Sequence, residues 1–226
     1  MPGYVHTGCF HLLHVVRSLQ KKWPGDLLVV GCGDGTEALF FQNRGATVTA
    51  IDPRVPDKIP PGVAFVRCEA ESMPFLHASF DYVFAYHVFE HVHDVKAAIA
   101  ECRRVLRPNG LMYVGVPNRR RLASFVGRGV PVKRILKDNW IEWVDRFWGR
   151  FQNDYGAHAG FTKSELTDLL GTSFEILWLT DDYMSFKRPR IRRLLLAMRP
   201  LFPALYLIAT PRATSAGSSG DFGPAR

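Results

Sequence analysis

The sequence predicts an α/β protein built on a parallel sheet covered on both faces by helices. Short apolar runs suited to buried strands alternate along the chain with segments of helical periodicity, the pattern of βα units. Residues 27–53, LLVVGCGDGTEALFFQNRGATVTAIDP, read in turn as a strand, a glycine-rich turn, a helix and a second strand. A length of 226 residues, 47% hydrophobic and 22% charged, suits one domain with a sizeable core.

Helical spacing of Phe10, Leu13, His14 and Arg17 predicts a helix over about 6–22, ahead of the sheet. Strands are expected at about 27–31, 47–51, 63–67, 80–86 and 110–116, with helices at about 36–43 and 94–107. Asp94 is placed to cap the second of these helices, and Pro108-Asn109-Gly110 to stop it. The segment 118–160 then breaks the rhythm. It holds three of the five tryptophans, Trp140, Trp143 and Trp148. Trp140, Val144, Phe147 and Phe151 recur at three- to four-residue spacing among Glu142, Asp145, Arg146 and Arg150, as in an amphipathic helix. It follows the fifth strand, at the carboxyl edge where open α/β sheets bind ligands, and is read as a lid that forms a pocket, or as an extra core helix.

Thr162 and Glu165 open a further helix as a capping box, running through Leu170 and stopped by Gly171. Phe174–Thr180 and Ala204–Thr210 are expected strands, with a basic and apolar helix over Arg190–Arg199 between them. The apolar run around that helix is too short to span a bilayer and is interrupted by Arg199, Pro200 and Pro203. Residues 213–226 are expected to be a disordered tail, leaving 1–212 as a single domain with its insertion at 118–160.

Function is most legible in the turn Gly31-Cys32-Gly33-Asp34-Gly35. Glycines permit a tight bend and let a ligand approach the backbone. Asp52 stands 21 positions after Gly31, where a βαβ nucleotide site grips ribose hydroxyls. The dinucleotide pattern G-x-G-x-x-G is not met, because position 36 is Thr36. A turn that only connects strand to helix is the plain alternative, and the register with Asp52 argues against it.

Val29–Thr36, VVGCGDGT, is similar to the first motif of class I S-adenosylmethionine-dependent methyltransferases, and more of that family's motifs follow in order. Val63–Ala70 resembles the third strand with its adenine-side acid, and Phe80–Tyr86 the fourth strand. Phe89–Val92, FEHV, resembles the loop after that strand, and Glu101–Pro117 the fifth helix-turn-strand unit. The subgroup resembled, methyltransferase type 11, methylates metabolites, lipids and glycans. The resemblance implies a Rossmann-like, doubly wound sheet of seven strands, mostly parallel with the last antiparallel. It also implies S-adenosyl-L-methionine as cofactor and methyl transfer to an oxygen or nitrogen of a small-molecule, lipid or glycan acceptor.

The site implied by the resemblance follows. Gly31, Cys32, Gly33 and Gly35 run along the methionine end, with Asp34 facing its ammonium or capping the next helix. Asp52, followed by Pro53, can accept from both ribose hydroxyls. Glu69 with Ala70 holds the adenine position, and Glu71 is its neighbouring alternative. Glu90-His91 follows the fourth strand, and His91 is the candidate base for an acceptor that carries a proton, or else orders the cofactor loop. Tyr86 and His87 belong to the cofactor site and are nearby alternatives for the base. His87, His91 and His93 lack metal-ligand logic, and no metal is expected.

The net charge of +8 is uneven: 118–161 carries a local +5 and 187–212 a local +7, leaving the rest at −4. Such clusters attract anionic partners. A phosphate-bearing or lipid-linked acceptor is therefore expected, with weak peripheral contact to an anionic membrane. The basic edge Arg188, Arg190, Arg192 and Arg193 beside Leu194–Leu196, Arg119–Arg121 and the Trp140 helix would carry that contact. A nucleic-acid methyltransferase that stacks bases on its tryptophans is a competing reading. Ala85-Tyr86-His87-Val88 stands where a base-amino methyltransferase has an Asn-Pro-Pro-Tyr-like motif, which argues against it. A cofactor-binding relative without catalysis is the other. Cys9, Cys32, Cys68 and Cys102 lack paired or metal-ligand spacing and the N-terminus lacks a signal-peptide pattern, so a reduced cytoplasmic setting is expected.

Overall fold

The computed structural model describes residues 5–121, 131–150, 160–187 and 202–212. The expected helix at 190–199, its basic edge, Phe151 and the tail at 213–226 lie outside the described residues.

Seven strands form one sheet: β1 (Asp26–Val30), β2 (Thr47–Asp52), β3 (Ala64–Arg67), β4 (Phe80–Tyr86), β5 (Leu106–Pro117), β6 (Phe174–Trp178) and β7 (Ala204–Pro211). Their order is β3-β2-β1-β4-β5-β7-β6, with β1 to β5 parallel and β7 antiparallel to both β5 and β6. Alternate strand residues feed two cores. Leu28, Val30, Val83, Ala85 and Leu207 pack with α3 (Val95–Val105) and α5 (Lys163–Leu170). Leu27, Val29, Tyr82, Phe84 and Ile208 pack with α1 (Thr7–Ser18), α2 (Thr36–Gln42) and α6 (Thr180–Lys187) on the other face. Burial on both faces is why the central strands read as continuous apolar runs.

Local signals terminate the helices largely where expected. Asp94 caps α3, its Oδ1 accepting the Ala97 amide at 3.0 Å. That helix ends at Val105, short of the expected 107, because Leu106 already pairs with Phe80 across an irregularity in the ladder. The Thr162 and Glu165 capping box forms, with the Thr162 amide donating to Glu165 Oε2 at 2.7 Å. The expected strand over 174–180 stops at Trp178, and α6, absent from the sequence reading, begins at Thr180. Thr180 Oγ1 accepts the Tyr206 amide at 3.0 Å, so a contact from β7 turns the chain there. Buried His11 of α1 then anchors α6: its Nε2 lies 2.8 Å from Asp182 and its Nδ1 2.9 Å from the Tyr113 hydroxyl. Burial lowers the His11 pKa, against the raising pull of Asp182.

The chain leaves the sheet at Asn118 and returns beside it at Phe161, which bridges Asn118 in parallel and donates its amide to Pro117 at 2.9 Å. The segment between them contains α4 (Val132–Phe147), which starts well before the tryptophan-bearing repeat.

Candidate active site

β1 and β4 are neighbours, with Val30 opposite Ala85, and the strand order reverses direction between them. Ligands bind open α/β sheets at such a switch point, outside the carboxyl ends of the strands. The glycine turn follows β1 and His87 follows β4, so both sit at that crevice.

Gly31, Gly33 and Gly35 all have positive φ, at 68°, 52° and 78°. The Gly31 and Cys32 amides donate to the Ile51 carbonyl at 2.9 and 3.1 Å, tying the turn to the end of β2. A Cβ on Gly31 would stand 2.6 Å from Val88, whereas one on Gly33 would meet nothing within 4 Å. Packing demands the first glycine, and the second leaves open space where a ligand can reach the backbone. Asp52, 7% exposed, accepts the Gly33 amide on Oδ2 at 3.1 Å and the Arg54 amide on Oδ1 at 2.9 Å. Each oxygen keeps further acceptor capacity, so the carboxylate is aimed yet still able to take a diol. Asp34 Oδ1 accepts the Thr36 amide at 3.0 Å, a two-residue turn ahead of α2, whose N-cap position is held by Gly35.

A cavity of 690 Å³ opens beside the turn, within the usual range for small-molecule sites. The turn contributes Gly31, Cys32, Gly33 and Asp34, and the end of β4 contributes Phe84, Tyr86 and His87. Glu37 of α2, His6 ahead of α1, and Arg134 and Asp138 of α4 complete its polar wall. Gly35, which closes the turn, is not part of this lining, nor are Asp52, Pro53, Glu69, Ala70 and Glu71, which stand at and beyond the ends of β2 and β3. Glu69 is exposed and Ala70 buried. Glu71 Oε1 accepts the amides of His93 and Asp94 at 2.8 and 3.2 Å, holding the approach to α3.

His87 has a left-handed backbone, φ 57°, a conformation costing roughly 1–3 kcal/mol in a non-glycine residue. Its amide donates to the Gly115 carbonyl at 2.7 Å, and its Nδ1 lies 3.0 Å from Oε1 of Glu90, itself 2% exposed. Nε2 of His87 and Oε2 of Glu90 are buried without a hydrogen-bond partner among the described residues. His91 is exposed, donates its amide to Val88 at 2.8 Å, and is not among the cavity's lining residues. Burial, with the Asp34 charge nearby, pushes the Glu37 pKa up to about 7, and His6 Nε2 lies 3.5 Å from its carboxylate. Burial and the Asp52 charge push the Cys32 thiol up to about 12, so it stays protonated.

Sequence reasoning did not find His6, Glu37, Arg134 or Asp138. Glu37 carried a usable signal, an acid in the first turn of the helix that leaves the glycine turn. Arg134 and Asp138 are an i, i+4 pair, 3.6 Å apart, but which side of α4 faces inward depends on its docking.

A parallel sheet of this order with only β7 reversed is the scaffold of the class I methyltransferases. A family model described as "Methyltransferase domain" matches residues 28–114. The chain is 34% identical over 162 residues to a ubiquinone biosynthesis O-methyltransferase of Methylocella silvestris, covering 67% of this chain and 62% of that protein. It is 29% identical over 175 residues to the protein of the same name from Azorhizobium caulinodans, covering 71% and 68%. The chain thus spans about two thirds of the length of these relatives. Its fold matches that of 1,6-didemethyltoxoflavin-N1-methyltransferase from Burkholderia thailandensis, solved with S-adenosylhomocysteine bound. That match has a TM-score of 0.55 at 17% identity, over 91% of this chain and 79% of that one. The methyltransferase-domain match, the named relatives and the fold together support a class I S-adenosylmethionine-dependent methyltransferase, with S-adenosylmethionine as methyl donor.

Proposed function

We propose that this chain methylates a hydroxyl oxygen of a small-molecule acceptor, with His87 as the base. One observation carries the reading: a cavity-lining histidine, held by a buried carboxylate at 3.0 Å, whose second ring nitrogen has no hydrogen-bond partner among the described residues. S-adenosylmethionine would supply a methyl already activated by its sulfonium. The turn Gly31 to Gly35 would hold its methionine end, Asp52 beside Pro53 its ribose, and Glu69 with Ala70 its adenine. The open space at Gly33 and the free acceptor capacity of Asp52 support that fit.

The chain's own residues then do three things. Glu90 accepts from Nδ1–H of His87, which fixes the tautomer and leaves the Nε2 lone pair for the acceptor's proton. As the acceptor oxygen takes the methyl and the methyl–sulfur bond breaks to leave the neutral thioether, that proton would pass to Nε2, and Glu90 would offset the positive charge on the ring. Tyr86 packs edge-on to the His87 ring at 4.7 Å between centroids and steadies it. His91, exposed beside Glu90, serves the loop, and Glu71 anchors the loop's far end. Arg134 and Asp138 support a lid role for α4. The O-methyltransferase names of the relatives favour oxygen over nitrogen. Lipid-linked and anionic acceptors, and peripheral lipid contact, belong to the same reading of a basic chain. The test is incubation with isotopically methyl-labelled S-adenosylmethionine and a panel of matched phenols and amines, read by mass spectrometry. Labelled ether products are expected, and label appearing only on amines would overturn the hydroxyl assignment.

A further inference from the structure

Helix α4 is turned with its polar side inward. Asp138 lines the cavity, Asn139 is buried, and Glu142 is paired with Arg121. Its apolar side faces out: Leu136 is 66%, Trp140 66% and Phe147 83% exposed, with Val132 and Trp143 exposed as well. At about 100° of rotation per residue these five share an arc of roughly 80°. A helix on a globular protein normally shows the reverse, and an exposed contiguous apolar strip marks an interaction surface.

We infer that this face of α4 docks the protein on an anionic lipid bilayer. Two features of the helix select that occupant. Tryptophan and phenylalanine suit the boundary between headgroups and acyl chains, where an amphipathic helix lies in the plane of the surface. Charge supplies the second. Exposed Lys133 and Lys137 follow directly on the edge of the apolar arc. All three acids of the helix are committed elsewhere: Asp138 to Arg134, Glu142 to Arg121, and Asp145 to Arg150 at 3.3 Å. The outward side is thus apolar with a cationic rim, complementary to anionic headgroups. A two-fold contact between copies would instead lay this lysine-edged strip on itself. Resting on the methyl-transfer reading, docking also explains why the same helix lines the cavity: it brings the cavity wall to the surface, where a bilayer-dissolved acceptor can enter.

The experiment is vesicle flotation of the full chain with phosphatidylcholine, alone or mixed with phosphatidylglycerol. Two variants are compared with the unmodified protein: Leu136→Gln, Trp140→Gln and Phe147→Gln combined, and Lys133→Glu with Lys137→Glu. None of the five lines the cavity. The unmodified protein is expected to float with the mixed vesicles and not with phosphatidylcholine alone. Each variant should lower its partition at least about tenfold. Binding of S-adenosylhomocysteine in solution, measured by calorimetry, should stay unchanged. The charge pair sits on exposed positions, so it keeps the test valid if the apolar variant misfolds. Failure of the unmodified protein to float, or flotation that neither variant alters, overturns the proposal. So does a dimer in sedimentation equilibrium that the apolar variant dissociates, which would assign the face to a second copy. Flotation is read without turnover, so a failed methylation assay leaves its outcome intact.

Discussion

Arg121 grips Glu142 with both arms of its guanidinium, Nη2 to Oε1 at 2.9 Å and Nε to Oε2 at 3.2 Å. Arg121 is 4% exposed and also donates from Nη1 to the Asn118 carbonyl at 3.2 Å. The pair ties the exit of β5 to the middle of α4, and so sets which side of that helix meets the cavity. Removing one member of a buried pair leaves a charge poorly compensated. Glu142→Ala is expected to cost roughly 2–4 kcal/mol, discounted because Glu142 retains some solvent contact. Replacing both residues, Arg121→Met with Glu142→Leu, should recover most of that. Urea unfolding decides it, and an unchanged midpoint for Glu142→Ala would show that α4 is held by other contacts.

Asp52 is aimed by two backbone amides and should be the strongest single contact to the cofactor ribose. Asp52→Ala is expected to weaken binding of S-adenosylhomocysteine by about 2 kcal/mol or more, near thirtyfold. Equal affinities in titration calorimetry would remove Asp52 from the site.

His87→Ala should lower turnover by about 10²–10⁴-fold while leaving cofactor affinity nearly unchanged. Glu90→Gln should lower turnover less and shift the pH–rate profile, because the imidazolium loses its anionic partner. His91→Ala should leave the single-turnover rate close to that of the unmodified protein. A large loss at His91 with none at His87 would reverse the assignment.

Glu37 makes stability depend on pH in a definite direction. Its folded pKa of about 7 lies above the ordinary 4.5, so the folded state binds the proton more tightly than the unfolded chain. Its contribution is full below pH 4.5 and declines as pH rises towards 7. The span is roughly 3 kcal/mol at most, and a protonated His6 beside it would reduce this. Glu37→Gln should flatten that slope in urea midpoints measured at about pH 5 and about pH 8. Identical slopes in the two proteins would rule the group out.

The sequence by itself determined what is local. The positive-φ turn at Gly31, Gly33 and Gly35, the caps at Asp94 and at Thr162 with Glu165, and the doubly buried strands are each dictated within a few residues. Steric and hydrogen-bonding rules of that range do not need the rest of the chain. Asp52 was legible for the same reason, since one βαβ unit sets its register to the turn. The tertiary structure decided the rest. Thr180 begins a helix because β7 takes its hydroxyl, and α6 is anchored by His11, 171 residues from Asp182. His87 rather than His91 faces the cavity because β5 holds its amide and Glu90 is buried behind its ring. The outward apolar face of α4 follows from Arg121 holding Glu142 inward. A period of 3.6 residues reveals that a helix has two faces, but only the partner across the fold selects the one that is buried.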